Sequence, residues 1–306
     1  MKRHIDLTGF LVMVVLTLLW GVNYPAVKIA NTGFAPVFNA FLRSSIASGF
    51  GIVYCLLSKQ PMFHRDIRLF HGFVVGLLFG LEFVCIYWGM LYTDAARAVI
   101  LVNCSPFVVA IGAHFFLGER LNAAKITGLA LAFMGVYLVF WGKPRTWNAS
   151  MLIGDIFEIV AALLWGSTTI YIKKYLAQRV QPIHTFLYQL VFSVPIIFAC
   201  ACTLEPRWII EINTPAVLAL LFSSVIVAFA SYLTWFKLIH TYPVSELAVF
   251  TFLSPVFGVA SGVLLLGEQL TLGLILGLVF VSAGIYMTNY RRSAPAVKGG
   301  QDNRHT

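Results

Sequence analysis

The chain has 306 residues, of which 59% are hydrophobic and 11% carry a charge, whereas charged residues make up about 25% of a typical soluble domain. Such a composition excludes a soluble globular protein of this size, because its apolar core could not be covered, and the mean hydropathy of +0.86 agrees. The net charge of +9 would suit a nucleic-acid-binding protein, but we expect no nucleic-acid partner, since no basic run with interleaved aromatic residues stands outside the apolar segments.

Ten apolar segments follow in chain order, each near the length of about 20 residues that a membrane-spanning helix needs. The connections between them are short, and none is long enough to fold as a separate soluble domain. We therefore predict an all-α integral membrane protein with ten transmembrane helices. The segments span approximately 7–28, 36–57, 70–92, 95–117, 123–141, 152–173, 182–203, 214–238, 244–266 and 271–290.

The two halves of the chain carry matching stretches in the same order. At offsets of about 145 to 149 residues, the matches pair Leu18–Gly21 with Leu163–Gly166, Ser105-Pro106 with Ser254-Pro255, and Leu117–Arg120 with Leu266–Gln269. Matches held in one register indicate an internal duplication, with five helices in 1–145, five in 146–290 and a polar, disordered tail in 291–306. Because the first segment has a mid-chain twin, we interpret it as part of the fold rather than as a cleaved signal peptide.

Lysine and arginine are unevenly distributed between the two sides of the predicted bundle. With the N-terminus in the cytoplasm, fifteen of them fall inside and five fall outside, which is the bias expected of cytoplasmic loops and places both termini inside. Since five helices is an odd number, the second unit starts from the opposite side. The predicted units are therefore inverted repeats, a design that recurs in secondary transporters, and Lys28 and its twin Lys173 lie on opposite sides.

These stretches resemble the EamA family of the drug/metabolite transporter (DMT) superfamily. The resemblance covers nearly the whole chain and is carried by Leu18–Asn23, Lys28, Arg43, Ser105–Arg120 and Ser254–Gln269. One departure is Gln269, where an arginine like Arg120 is more usual. The resemblance implies a ten-helix carrier of the bacterial inner membrane that exports amino acids or related metabolites. It leaves open the substrate and the coupling, with proton antiport, exchange and facilitated diffusion as alternatives.

Glu82 lies near the centre of the third segment, among apolar residues. A charged group at the bilayer centre costs about 2.5–3.5 kcal/mol on insertion scales, so it is tolerated where it faces a watery cavity or a partner, or where it is protonated. We predict a site for a substrate ammonium group or a proton. The alternative is a protonated carboxyl that makes a hydrogen bond between packed helices.

Three further candidates lie just before prolines. Trp20 and Asn23 precede Pro25, and Asn103 precedes Pro106. Proline removes a backbone hydrogen bond and bends a helix, which in a membrane helix exposes carbonyl groups to a cavity. We predict that these side chains bind substrate, with a hydrogen bond between helices as the alternative for the amides.

The sixth and eighth segments each present a patterned face. Asp155, Glu158 and Trp165 fall at helical spacing on one side of segment six, which predicts an acid and an aromatic platform. The alternatives are that Asp155 caps the helix and that Glu158 extends outward to the membrane surface. In segment eight, Tyr232 and Trp235 are predicted to bind substrate, with close helix packing as the alternative.

The combined hypothesis is a transporter that alternates access to a cavity lined by segments one, three, four, six, eight and nine. We expect a monomer in a lipid bilayer that needs no metal or cofactor, because the sequence shows no nucleotide-binding loop, nucleophile motif or metal-ligand pair. A channel-like permease stays an alternative. An intramembrane hydrolase is another, and it would need Glu82 and Glu158 to converge on a water. Glu119 and Glu268, in short turns at opposite faces, are predicted to cap the helices that follow them, with a latch on a gate as the alternative.

Overall fold

A computed structural model describes residues 4–93, 95–141, 151–266 and 271–289 of the chain. The regular structure in these ranges is helical, apart from one isolated β-bridge between Phe34 and Ile209. Glu268, Gln269 and the predicted tail lie outside the described residues. The helices are α1 (Leu7–Ala30), α2 (Pro36–Leu57), α3 (Ile67–Tyr92), α4 (Ala95–Val102 and Ser105–Leu117), α5 (Ala123–Val139), α6 (Met151–Tyr171, continued by Ile172–Leu176), α7 (Pro182–Leu204), α8 (Thr214–Leu221, Phe222–Ser231 and Tyr232–Thr241), α9 (Val244–Phe250 and Leu253–Leu266) and α10 (Leu272–Asn289).

The ten predicted segments are confirmed, and their ends agree to within a few residues. Within the described ranges, nine of the helices are long and apolar enough to cross a membrane, and α5 is a shorter apolar helix. The protein is therefore a multi-pass membrane protein. In lipid, backbone N–H and C=O groups must be paired within the protein, and these helices pair them within each segment.

Two helices are interrupted at equivalent places in the two halves. The break in α4 falls at 103–104 and the break in α9 falls at 251–252, each just before a Ser-Pro pair. A proline ring clashes with the carbonyl group four residues earlier and supplies no N–H, which accounts for both positions. The helix continues through Pro25 of α1, so the disruption predicted there is not an interruption of the helix.

Contacts between the halves repeat in the same way as the sequence. Gly21 of α1 packs against Phe257 of α9, and its twin Gly166 of α6 packs against Val108 of α4. Since Val108 and Phe257 also occupy matching positions, the α1–α9 contact is a copy of the α6–α4 contact. The two five-helix units are thus related as inverted repeats, and each unit packs its first helix against the fourth helix of the other.

Candidate functional site

A cavity of about 250 Å³ lies where the two interrupted helices meet the centres of their neighbours. Pockets for drug-sized ligands measure about 300–1,000 Å³, so this one suits a smaller metabolite. It is lined by side chains from the six helices predicted and from α7. Seven of the eight predicted site residues line it: Trp20, Asn23, Glu82, Asn103, Trp165, Tyr232 and Trp235.

Non-helical and wide-turn backbone surrounds this cavity. Val102 and Asn103 line it at the break in α4, and Thr251 lines it at the break in α9. Ile172 and Val227 line it from π-helical stretches of α6 and α8. Irregular backbone is tolerated at membrane depth where it borders a cavity, and π-helical turns are frequent at functional sites.

Glu82 is the charged member of the cavity wall in the described part of the chain. Its side chain is 7% exposed, and its Oε2 atom is fully buried without a hydrogen-bond partner. A buried polar atom left unsatisfied costs about 1–3 kcal/mol, and more when it is charged. The carboxyl group is therefore placed to accept a donor from a bound ligand or to carry a proton.

The aromatic part of the wall is held rigidly between the two halves. The Trp20 and Trp235 rings pack edge to face with centroids 5.5 Å apart, and the Trp20 Nε1 atom donates a 2.9 Å hydrogen bond to Ser231 Oγ. Phe79 packs edge-on to Tyr232 at 6.3 Å. Ring faces arranged around a carboxyl group attract cationic and apolar groups.

The two predicted amides line the cavity but also serve the helices. Asn23 Oδ1 accepts a 2.7 Å hydrogen bond from Ser223 Oγ, so the bond between helices that was the alternative reading is present. Asn103 Nδ2 donates to the Val99 carbonyl group at 2.7 Å, which helps to close the first part of α4 before its break. A ligand would therefore meet mainly the Asn23 Nδ2 and Asn103 Oδ1 atoms, which these two hydrogen bonds do not use.

Glu158 lies elsewhere. It is fully buried and packs against Gly89 of α3, where a Cβ atom would overlap its carboxyl group. It is not among the residues that line the central cavity, nor does it extend to the membrane surface. Asp155 accepts a 2.8 Å hydrogen bond from Thr93 Oγ1, so this acid also faces α3.

Among the polar residues near the cavity that were not predicted as site residues, two stand out. Gln189 of α7 lines it. Arg43 of α2 is 7% exposed, and its guanidinium carbon lies 4.9 Å from the Phe83 ring centroid and 5.9 Å from that of Tyr232, two rings of the cavity wall. The signal was available, because an arginine inside an apolar segment is a functional-site hypothesis by default.

The turn between α8 and α9 is clamped from two sides, at the face where α1 begins. The Lys173 ammonium group donates to the carbonyl oxygens of Ile239 and Tyr242. The Glu119 carboxylate accepts from the backbone N–H groups of Val244 and Ser245, at 2.9 and 3.1 Å. A cation thus meets the negative end of α8 and an anion meets the positive end of α9.

The prediction that Glu119 caps the helix that follows it is therefore wrong. Asn122 caps α5 instead, accepting a 2.9 Å bond from the Lys125 backbone N–H. The Lys125 ammonium group donates to Ser245 Oγ at 2.9 Å. The start of α9 is also tied to the start of the chain, because His4 hydrogen-bonds to Glu246 at 3.0 Å.

The repeat partner of Lys173 has no such role. Lys173 is 7% exposed, whereas Lys28 is exposed at the end of α1 and makes no hydrogen bond or ion pair with the residues that the structure describes. Lys173 is thus hydrogen-bonded at one face, whereas its twin Lys28 has no partner among the described residues at the other face.

A more open hollow of about 390 Å³ lies at the same face as the clamped turn, between 60–64 and 177–184. Each of its two histidines makes a hydrogen bond within the protein, although His184 Nδ1 is buried without a partner. His64 hydrogen-bonds to the Tyr188 hydroxyl group at 2.9 Å, and His184 Nε2 donates to the Pro61 carbonyl oxygen at 2.7 Å. The central cavity, which seven of the eight predicted site residues line, is the better candidate for ligand binding.

Comparisons with known proteins agree with this architecture. The profile of the EamA-like transporter family matches residues 7–141 and again 152–290. The chain is 25% identical to the Bacillus subtilis uncharacterized transporter YoaV, over 90% of this chain and 94% of that one. It is 27% identical to a probable amino-acid metabolite efflux pump of Escherichia coli, over 98% of this chain and 100% of that one. A solved crystal structure superimposes with a TM-score of 0.78 at 17% identity, covering 90% of this chain and 94% of the other, and shares the fold. The chain belongs to the EamA-like transporter family and is a membrane transporter rather than an enzyme.

Proposed function

We propose that the protein exports amino acids or closely related metabolites across the bacterial inner membrane. The observation that carries this proposal is the buried Glu82 carboxyl group, which lines the central cavity with one oxygen unsatisfied. An amino group is the complementary donor. The name of the Escherichia coli relative, a probable amino-acid metabolite efflux pump, points to the same class of compound.

Alternating access is the proposed mechanism. In this proposal the clamp on the α8–α9 turn holds closed the face that the charge bias assigns to the cytoplasm, while the twin Lys28 has no partner among the described residues at the opposite face. In the other state the roles would exchange, with Lys173 released and Lys28 clamping the end of α3. Because one chain supplies the whole cavity, we propose that the monomer is the transporting unit.

The two alternatives predict different behaviour. A hydrolase would need two acids to converge on one water, but Glu158 packs on Gly89 while Glu82 faces the cavity. A channel-like permease needs no gate at either face. It would give a flux that rises without saturation, whereas a carrier saturates because each turnover needs a conformational change.

The test is transport by the purified full-length protein in proteoliposomes loaded in turn with amino acids, polyamines and nucleosides. We expect saturable counterflow of amino acids, abolished by Glu82→Gln. Glu158→Gln and the exposed control Glu211→Gln are expected to keep it. Counterflow of nucleosides alone, or equal rates for the parent and Glu82→Gln, would contradict the proposal. Imposing a pH gradient in the same vesicles separates proton antiport from exchange and facilitated diffusion.

A further inference from the structure

A second buried charge lies behind the cavity wall, opposite in sign to Glu82. Arg43 is as buried as Glu82, at 7% exposed, and its Nε and Nη2 atoms are fully buried without a hydrogen-bond partner. Its guanidinium group lies against Phe83 and Tyr232. Ring contacts supply part of the stabilisation of a buried cation, but they leave these N–H donors unused.

Arg43 lies against the ring of Phe83, the residue next to Glu82 in the chain, yet no ion pair within 4.0 Å joins Arg43 and Glu82 in the described part of the chain. An arginine and a carboxylate that are free to meet form a short, bidentate pair. Here each keeps an unsatisfied buried atom instead, at a desolvation penalty that only a partner can offset. Arg43 is not among the residues that line the cavity, but its unsatisfied donors lie against two rings of the cavity wall. A ligand that bears both charges and reaches past these rings would therefore satisfy both groups.

The signs of these groups discriminate between classes of substrate. A polyamine would neutralise Glu82 but bring further positive charge toward Arg43. A nucleoside carries no full charge and would leave both groups unpaired. A zwitterion satisfies both groups and adds no net charge to a low-dielectric site, where an uncompensated charge is expensive.

We propose, on the basis of the proposed function, that the cavity binds the zwitterionic headgroup of an α-amino acid, with its ammonium group on Glu82 and its carboxylate on Arg43. The planar fork of an arginine matches a carboxylate in a way that a lysine does not. An apolar side chain then packs on the aromatic wall formed by Trp20, Trp165 and Trp235. Arg43 is thus a specificity-determining residue.

Three compounds with one side chain test this directly: leucine, leucinamide, which lacks the carboxylate, and 4-methylpentanoate, which lacks the ammonium group. None of them fluoresces, so binding to the detergent-purified protein is followed by the fluorescence of the cavity tryptophans. One contact with a charged group corresponds to about 10- to 100-fold in Kd. We expect the parent protein to bind leucine tighter than either analogue by about that factor.

Two variants separate the roles of the charges. Arg43→Gln is expected to weaken leucine by about 10- to 100-fold and to spare leucinamide. Glu82→Gln is expected to weaken leucine and to spare 4-methylpentanoate. The same substitutions at exposed positions, Arg65→Gln and Glu211→Gln, serve as controls and should leave all three affinities unchanged.

The outcomes distinguish this inference from the function on which it rests. If Arg43→Gln weakens leucine and leucinamide equally, or if the parent protein binds leucinamide as tightly as leucine, the carboxylate site is wrong while amino-acid export stands. If the parent protein binds none of the three compounds and transports no amino acid, both proposals fall. The preference of the parent protein decides the matter even if a variant does not fold.

Discussion

Replacing Lys173 by methionine should weaken the closed arrangement of the face where α1 begins, and the same change at Lys28 should not. Lys173 is buried and donates to two carbonyl groups at the end of α8. Lys28 is exposed at the matching place in the first half. Methionine keeps much of the length and the apolar stem of lysine, so the comparison isolates the ammonium group.

The magnitude follows from the two hydrogen bonds. Bonds to a charged group contribute about 1.5–3 kcal/mol each, and removing the ammonium group recovers part of the several kcal/mol spent on burying it. A net loss of about 1–3 kcal/mol is therefore expected. At about 2 °C per kcal/mol for a chain of this size, the melting temperature should fall by about 2–6 °C. A change at an exposed residue stays within about 0.5 kcal/mol.

The assay is the melting temperature of each purified variant in one detergent, scanned at a single rate, because melting of membrane proteins is commonly irreversible. A thiol introduced at Thr169 on the cavity wall, in a background without the five native cysteines, adds a second readout. Its labelling from the Lys173 face should increase in Lys173→Met. Equal melting shifts for Lys173→Met and Lys28→Met, with unchanged labelling, would refute the clamp.

Three other changes probe neighbouring features. Glu119→Gln removes the charge that caps the start of α9 and should lower the free energy of unfolding by about 1–2 kcal/mol, read from the melting temperature. In the double variant, Lys173→Met should add less than its full effect, because both residues hold one turn. Gly166→Ala should destabilise by about 1–3 kcal/mol through overpacking against α4, whereas Gly49→Ala, with open space around it, should be neutral or stabilising. Burial lowers the pKa of His64, so the folded state binds this proton less readily than the unfolded state does. The free energy of unfolding should therefore fall as the pH drops below about 6.5. A His64→Gln variant whose stability keeps the whole pH dependence would exclude His64 as its source.

The helices could be predicted because lipid imposes one length and one polarity on every span. Hydropathy alone therefore placed the ten helices, and the proline argument marked one of the two breaks, the one before Pro106. The π-helical stretches of α6 and α8 were not predictable in this way, because a wide turn is set by what packs around it rather than by local propensity.

The sequence predicts which face of a helix carries the candidate site residues, but not how far along the helix axis the cavity lies. Glu158 and Trp165 are seven residues apart and share one face of α6, yet about 1.5 Å of rise per residue separates them by about 10 Å along the axis. Trp165 reaches the cavity, whereas α3 covers Glu158 at Gly89. Only the packing of a second helix decides this difference.

Long-range partners were likewise beyond local reasoning. A turn position suggested that Glu119 caps α5, but its carboxylate meets α9, more than a hundred residues away. Arg43 carried a signal of its own, an arginine inside an apolar span, but its contacts with Phe83 and Tyr232 depend on the packing of other helices.

The central claim is that two inverted halves carry an amino acid in one cavity built around Glu82. Trans-stimulation tests it most directly: efflux of labelled leucine from proteoliposomes is measured with and without saturating unlabelled leucine outside. A carrier that returns faster when loaded should release label faster under exchange, and Glu82→Gln should abolish the flux. A flux that rises linearly with concentration, ignores leucine on the far side and persists in Glu82→Gln would contradict the account.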